Sequence, residues 1–154
     1  MDISNISVDY QNWQDKTSWY KHSGAKDTFE LSYLVMGLAG ESGEATDCVK
    51  KLLRKHGEDA WEMSTADERY KFTHEVADVL WYVVRTCTFL GITPQDLMIL
   101  NMVKLHDRMN ERTESGLGPI SWPLESFSYE QAKQLELQIW ERIFAAGRMG
   151  EWDE

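Results

Sequence analysis

Four carboxylates carry the chemistry this sequence can do: Glu41 and Glu44 in GLAGESGEA, and Glu75 and Asp78 in HEVAD. Members of each pair are three residues apart, so on a helix each pair projects from one face. A pair at this spacing is ordinarily a solvated charged surface. Here Leu34, Val35, Leu38 and Ala39 lead into the first pair, and Val76, Ala77, Val79, Leu80 and Trp81 surround the second. Carboxylates gathered in such surroundings repel one another and raise some of their pKa values unless cations neutralise them. Mg²⁺ is the natural solution, because it accepts one or two carboxylates and keeps positions for water and phosphate oxygens. Mn²⁺ is a plausible substitute.

The glycines beside the first pair need a reason. Gly37, Gly40 and Gly43 each cost about 1 kcal/mol relative to alanine inside a helix, and close approach of a neighbouring helix or a ligand would offset that. A phosphate-cradling loop is the rival reading. GLAGESGE lacks the GK[ST] ending of such a loop, and its glutamates would repel phosphate without a metal.

Cations complete the pattern. Lys50, Lys51, Arg54 and Lys55 follow the first pair, where they suit the negative end of a helix dipole; Lys51 is also a candidate substrate contact. Asn101, Lys104 and Arg108 recur at intervals of three and four. That stripe is either a solvated face or a grip for a polyphosphate, with arginine able to bind bidentately. Tyr82 and Arg85 follow Glu75 and Asp78 on the same face. They are candidate ligand contacts, against core packing for Tyr82 and a surface ion pair for Arg85.

The elements that must position these groups read as helices, since apolar residues recur every three or four positions and no period-two stretch has hairpin signals. Five are expected in an all-α bundle. The first runs from about Ser7 to His22, and the second from about Thr28 to His56, with Gly57 as stop. Thr65 and Glu68 form a capping box for the third, which ends at Gly91. Thr93 caps the fourth, with Pro94 at its first position, and it continues to about Arg112. Residues 113–127 hold two of the three prolines and read as a linker. Ser128 and Gln131 box the start of the last helix, which runs to Gly147. That helix carries one apolar stripe through Tyr129, Ala132, Leu135, Ile139, Ile143 and Ala146, and a second through Leu137, Trp140 and Phe144. Two apolar faces suit either a subunit contact or a well-buried helix.

Composition narrows the function. A chain of 154 residues, 42% hydrophobic, supports one domain with a sizeable core. A net charge of -10 disfavours a general role on nucleic acid or an anionic membrane. Cys48 and Cys87 have no CxxC or Cys/His spacing, so two buried thiols in a reducing cytoplasm are expected. The longest apolar run, residues 79–84, is too short to span a bilayer, and the N-terminus has no leader pattern. A soluble cytoplasmic protein is expected.

The run YLVMGLAGESGEATDCVKKLLRKHG, then HEVADVLWYVVRT, then LGITPQDLMILNMVKLHDRM resembles the MazG-type all-α nucleoside triphosphate pyrophosphohydrolases, whose signature is ExxE followed by ExxD. The resemblance runs from YQNWQDKTSWY to about Arg112. It implies a four-helix core over residues 1–112, with residues 128–154 a helix and tail of the same domain. It also implies Mg²⁺-dependent cleavage of a nucleotide between the α and β phosphates, giving a nucleoside monophosphate and pyrophosphate. By resemblance Glu41, Glu44, Glu75 and Asp78 hold the metal, Asn101, Lys104 and Arg108 meet the nucleotide, and the chain forms a homo-dimer or homo-tetramer. Two departures stand out. Thirty residues separate Glu44 from Glu75, more than is usual in the family, and Gly40 occupies the place where some relatives keep a general base. Glu41 is then a candidate for that task.

Three rivals are weighed against this reading. A relative acting on dUTP or phosphoribosyl-ATP would differ in the residues around the base, for which Trp13, Trp19, Tyr20 and Trp61 are candidates. A non-catalytic acidic binding or regulatory protein would keep the fold without metal affinity. A di-iron carboxylate bundle needs ExxH on two helices, and none of the four histidines lies three residues after Glu.

Overall fold

A computed structural model describes residues 6–111 and 121–146. Five α-helices account for most of these residues: α1 (Ile6–Thr17), α2 (Thr28–His56), α3 (Ala66–Leu90), α4 (Pro94–Glu111) and α5 (Tyr129–Ala146). No strand occurs among the described residues. The fold is all-α, as the periodicity requires. Residues 112–120, most of the expected linker, and the chain from Gly147 onward lie outside the described residues.

Helix starts follow from side chains that catch free amides. Asp27 accepts from the Glu30 amide to cap α2, and Gly57, with φ of 66°, turns the chain out of its far end while its own amide reaches the Leu53 carbonyl. Thr65 and Glu68 exchange both capping bonds, as expected. Ser128 and Gln131 do the same for α5. Thr93 and Asp96 form a third reciprocal pair at α4, with aspartate in the glutamate's role.

Glu68 also meets Lys55 across the α2–α3 pair at 2.8 Å. The hydrogen bond from Lys55, followed by that from the Thr65 amide, holds its carboxyl down at about 2. A carboxylate depressed in the folded state stabilises it above the unfolded pKa of about 4.3, and this contribution fades as pH falls from there toward 2. Urea midpoints measured between pH 5 and pH 2 should therefore drop more for the wild type than for Glu68→Gln.

The described residues divide into two compact units. One spans residues 13–89; the other comprises the described parts of 1–12 and 90–154. The first unit buries Leu34 and Leu52 of α2 with Val84 and Cys87 of α3. Its helices α2 and α3 run antiparallel. Positions facing one another rise along α2 as they fall along α3, from Gly37 beside Tyr82 to Lys55 beside Glu68. In the second unit Val103 of α4 and Ala132 and Ile139 of α5 are buried. Arg142 reaches Asp96 at 2.8 Å, and Tyr129 donates to Asp107. Of the two stripes on α5, the one through Ala132 and Ile139 packs inward, while Leu137, Trp140 and Phe144 are exposed.

The first helix is shorter than its sequence suggests. It stops at Thr17, and residues 18–27 form a shaped loop in which His22 and Lys26 take positive φ. Periodicity predicts a helix to His22, but Glu30 accepts from the amides of Gly24 and Lys26, and Arg85 of α3 donates to the Tyr20 hydroxyl, and these bonds hold a loop instead. Cys48 is half-buried rather than fully buried; Cys87 is buried as expected, and both thiols are free. No single helix among the described residues is long and apolar enough to cross a membrane.

Candidate metal centre

The antiparallel register of α2 and α3 sets Glu41 beside the second carboxylate pair. One oxygen from each of Glu41, Glu75 and Asp78 lies within 4.8 Å of the others. Glu41 and Glu75 are half-buried and Asp78 is exposed. With metal–oxygen bonds of about 2.1 Å, neighbouring and opposite oxygens of an octahedral shell are about 3.0 and 4.2 Å apart. Sharing one cation therefore requires the three carboxylates to rotate inward, by up to about 1.8 Å for a pair that takes neighbouring positions. Burial, followed by the charges of Asp78, Glu44 and Glu75, pushes the Glu41 carboxyl above the usual carboxylate range. A site that penalises its own negative charge is one that gains from binding a divalent cation.

Glu44 stands outside this group of three. It is exposed and lines a neighbouring cavity of about 350 Å³ together with Glu75, Gly40, Gly43 and Lys51. Lys51 is paired with Asp47 at 2.7 Å, and the bonds from Lys50 and Lys51 hold the Asp47 carboxyl down at about 2.

Only one of the three glycines is explained by helix packing. A Cβ at Gly37 would stand 2.1 Å from the Tyr82 ring, whereas one at Gly40 or Gly43 would meet nothing within 4 Å. Gly37 therefore lets Tyr82 lie across α2. Burial first, then Tyr33, Glu41 and Asp78, push the Tyr82 hydroxyl up to about 12, so it stays protonated and able to donate at neutral pH. Tyr82 lines a cavity of about 420 Å³ with Glu41, Asp78, Trp19, Tyr20 and Tyr33. It packs against α2 at Gly37 and borders this cavity at once.

Arg85 is not in a surface ion pair. Its guanidinium is buried and bonds Tyr20, Ser23, Glu30 and Asp15. Asn101, Lys104 and Arg108 lie on α4 in the other unit, and all three are exposed. Among the aromatic candidates, Trp19 and Tyr20 line the 420 Å³ cavity. Trp61 instead packs against Phe72 and under Arg69, and Trp13 is not among the lining residues. Sequence reasoning missed Tyr33 and Trp81 as lining residues, as well as the role of Glu30.

The family model for the MazG nucleotide pyrophosphohydrolase domain matches residues 29–113, more than half of the chain. The chain belongs to the MazG family. This MazG segment covers α2, α3 and α4, so it includes all four motif carboxylates as well as Asn101, Lys104 and Arg108. The chain is also similar to the Gene 37 protein of Mycobacterium phage L5, at 35% identity over 111 residues that cover 71% of this chain and 93% of that protein. No solved structure matches.

Proposed function

We propose that this MazG-family chain is a divalent-metal-dependent hydrolase that cleaves a nucleoside or deoxynucleoside triphosphate between its α and β phosphates. The products are a nucleoside monophosphate and pyrophosphate. The convergence of Glu41, Glu75 and Asp78 on one point carries the reading. A bound Mg²⁺ would neutralise phosphate charge and acidify nearby water. Glu75 and Asp78, with Glu41 and Glu44 beside them, would hold it. Glu41, the motif carboxylate set beside Glu75 and Asp78, would also accept the attacking water's proton. Tyr82, fixed across Gly37 and protonated, would donate a hydrogen bond to a phosphate or sugar oxygen.

Lys51, Asn101, Lys104 and Arg108 belong to the proposal as further nucleotide contacts. Arg85 enters it only indirectly, since its bonds go to protein groups. Homo-oligomer formation is also proposed, supported by the exposed Leu137, Trp140 and Phe144 of α5. The biological reading is maintenance of a cytoplasmic nucleotide pool.

Asp78→Asn removes one ligand charge while preserving shape. Its calorimetric affinity for Mn²⁺ is expected to fall at least tenfold, and its pyrophosphate release with it. Unchanged metal affinity in the variant would remove the basis of the site, and a wild type with no affinity for the ion would favour an acidic binding protein that keeps the fold without turnover.

A further inference from the structure

The most buried ion pair in the first unit lies outside the carboxylate centre. Glu30 of α2 is 1% exposed and Arg85 of α3 is 3% exposed, with 3.3 Å between them. Burying two such charges is costly unless further hydrogen bonds satisfy them. The additional bonds all go to one stretch of chain. Glu30 accepts from the Tyr20 hydroxyl and from the amides of Gly24 and Lys26, each at 2.8 Å. Arg85 donates to the Tyr20 hydroxyl at 3.0 Å, to Ser23 at 3.3 Å, and to Asp15. Although burial opposes both charges, these bonds outweigh it, holding the Glu30 carboxyl below and the Arg85 guanidinium above its ordinary value.

The loop held in this way forms one side of the 420 Å³ cavity that contains Glu41 and Asp78. Trp19 is 90% exposed at its edge, with its indole nitrogen donating to the Lys16 carbonyl. Tyr20 stacks on Tyr33 at 4.3 Å and 12°. Ser18, another lining residue, has a buried hydroxyl with no partner. With Tyr33 stacked on it and the Arg85 guanidinium over its ring, Tyr20 is a fixed support, whereas the exposed Trp19 indole beside it, together with the spare Ser18 hydroxyl, suits a planar heterocycle with polar edges.

We propose that Arg85 and Glu30 are positioning residues that fix Tyr20, and through it the neighbouring Trp19, as the wall of this cavity, with Trp19 the ring on which the base of a nucleotide stacks. The inference rests on the nucleotide reading above and adds where the base goes and what fixes that place. Arg85 does not line the cavity, so it acts through Tyr20.

The test uses Tyr20→Phe, which keeps the ring and removes the hydroxyl that both charges bond, with Arg85→Lys and Trp19→Ala. Calorimetry measures binding of a nonhydrolysable α,β-methylene nucleoside triphosphate and of inorganic tripolyphosphate, both with Mn²⁺, and steady-state assays give kcat and KM. All three variants should bind the nucleotide about tenfold more weakly and tripolyphosphate within about twofold of wild type, with KM rising far more than kcat falls. Should Arg85→Lys fail to fold, Tyr20→Phe and Trp19→Ala decide the matter. Nucleotide binding by Tyr20→Phe equal to wild type overturns the proposal, as does an equal loss for tripolyphosphate. A wild type that binds the analogue with this variant pattern but hydrolyses no triphosphate would refute the activity and leave the wall standing. A wild type that binds no nucleotide refutes both.

Discussion

Glu41→Gln is expected to slow pyrophosphate release by about 100-fold to 10,000-fold, the range for losing a general base. It should also raise the thermal stability of the metal-free protein at neutral pH. Both effects have one cause. Burial and three neighbouring acids raise the Glu41 carboxyl above its unfolded value, so the folded state holds that proton more tightly than the unfolded chain does. Such a group stabilises the fold most below its unfolded pKa of about 4.3, and this contribution disappears as pH rises through the raised folded value. In its ionised form Glu41 is a burden in the absence of metal, and Gln, neutral and of the same shape, removes it. Mg²⁺ should raise the melting temperature of the wild type and do so much less for Glu41→Gln. Melting curves across pH 4 to 8, with and without Mg²⁺, test the stability half separately from the assay. A metal-free variant no more stable than wild type at pH 7 would count against the electrostatic account of this site.

Gly37→Ala is the second large effect. Alanine gains about 1 kcal/mol over glycine in a helix interior. Against that, its Cβ would stand 2.1 Å from a Tyr82 ring carbon and 2.3 Å from the next. No rotation of a distant side-chain end relieves such a contact, so the ring must leave or the helices must part. Overpacking of this kind costs about 1–3 kcal/mol, and the variant should be destabilised or, if the ring swings away, should lose catalytic efficiency. Gly40→Ala is the contrast, since a Cβ there meets nothing; it should stabilise the fold by up to about 1 kcal/mol. Adding Tyr82→Leu to Gly37→Ala should recover stability, giving a coupling readable from a double-mutant cycle. Equal effects of alanine at Gly37 and Gly40 would contradict the close-approach explanation.

Much of this was legible in the sequence where local chemistry decides structure. Caps at Thr65, Thr93 and Ser128 and the stop at Gly57 lie within four residues of what they satisfy. Helix boundaries fell within a residue or two there. The two carboxylate pairs were readable because a spacing of three fixes a helix face, and an antiparallel neighbour makes two such faces meet. The split of the glycines was not readable: all three look alike along the chain, and only the register of α3 puts Tyr82 against Gly37 rather than Gly40. Nor was the end of α1. The loop after Thr17 is held by Glu30 and Arg85, the latter 65 residues from Tyr20 in sequence. Glu30 gives no local sign of its role, because a glutamate in the first turn of a helix is equally at home on the surface. Arg85 carries no local sign either: from its place after Glu75 and Asp78 a ligand contact and a surface ion pair are equally good readings, and its bonds go instead to buried protein groups.

The central claim is that these carboxylates support metal-dependent cleavage between the α and β phosphates. Hydrolysis of a panel of nucleoside and deoxynucleoside triphosphates in ¹⁸O-labelled water, with and without Mg²⁺ and followed by mass spectrometry of the products, tests it most directly. The account predicts nucleoside monophosphate and intact pyrophosphate, formed only with the divalent cation and lost in Glu41→Gln. Release of orthophosphate and nucleoside diphosphate, or turnover that persists without a divalent cation, would contradict it.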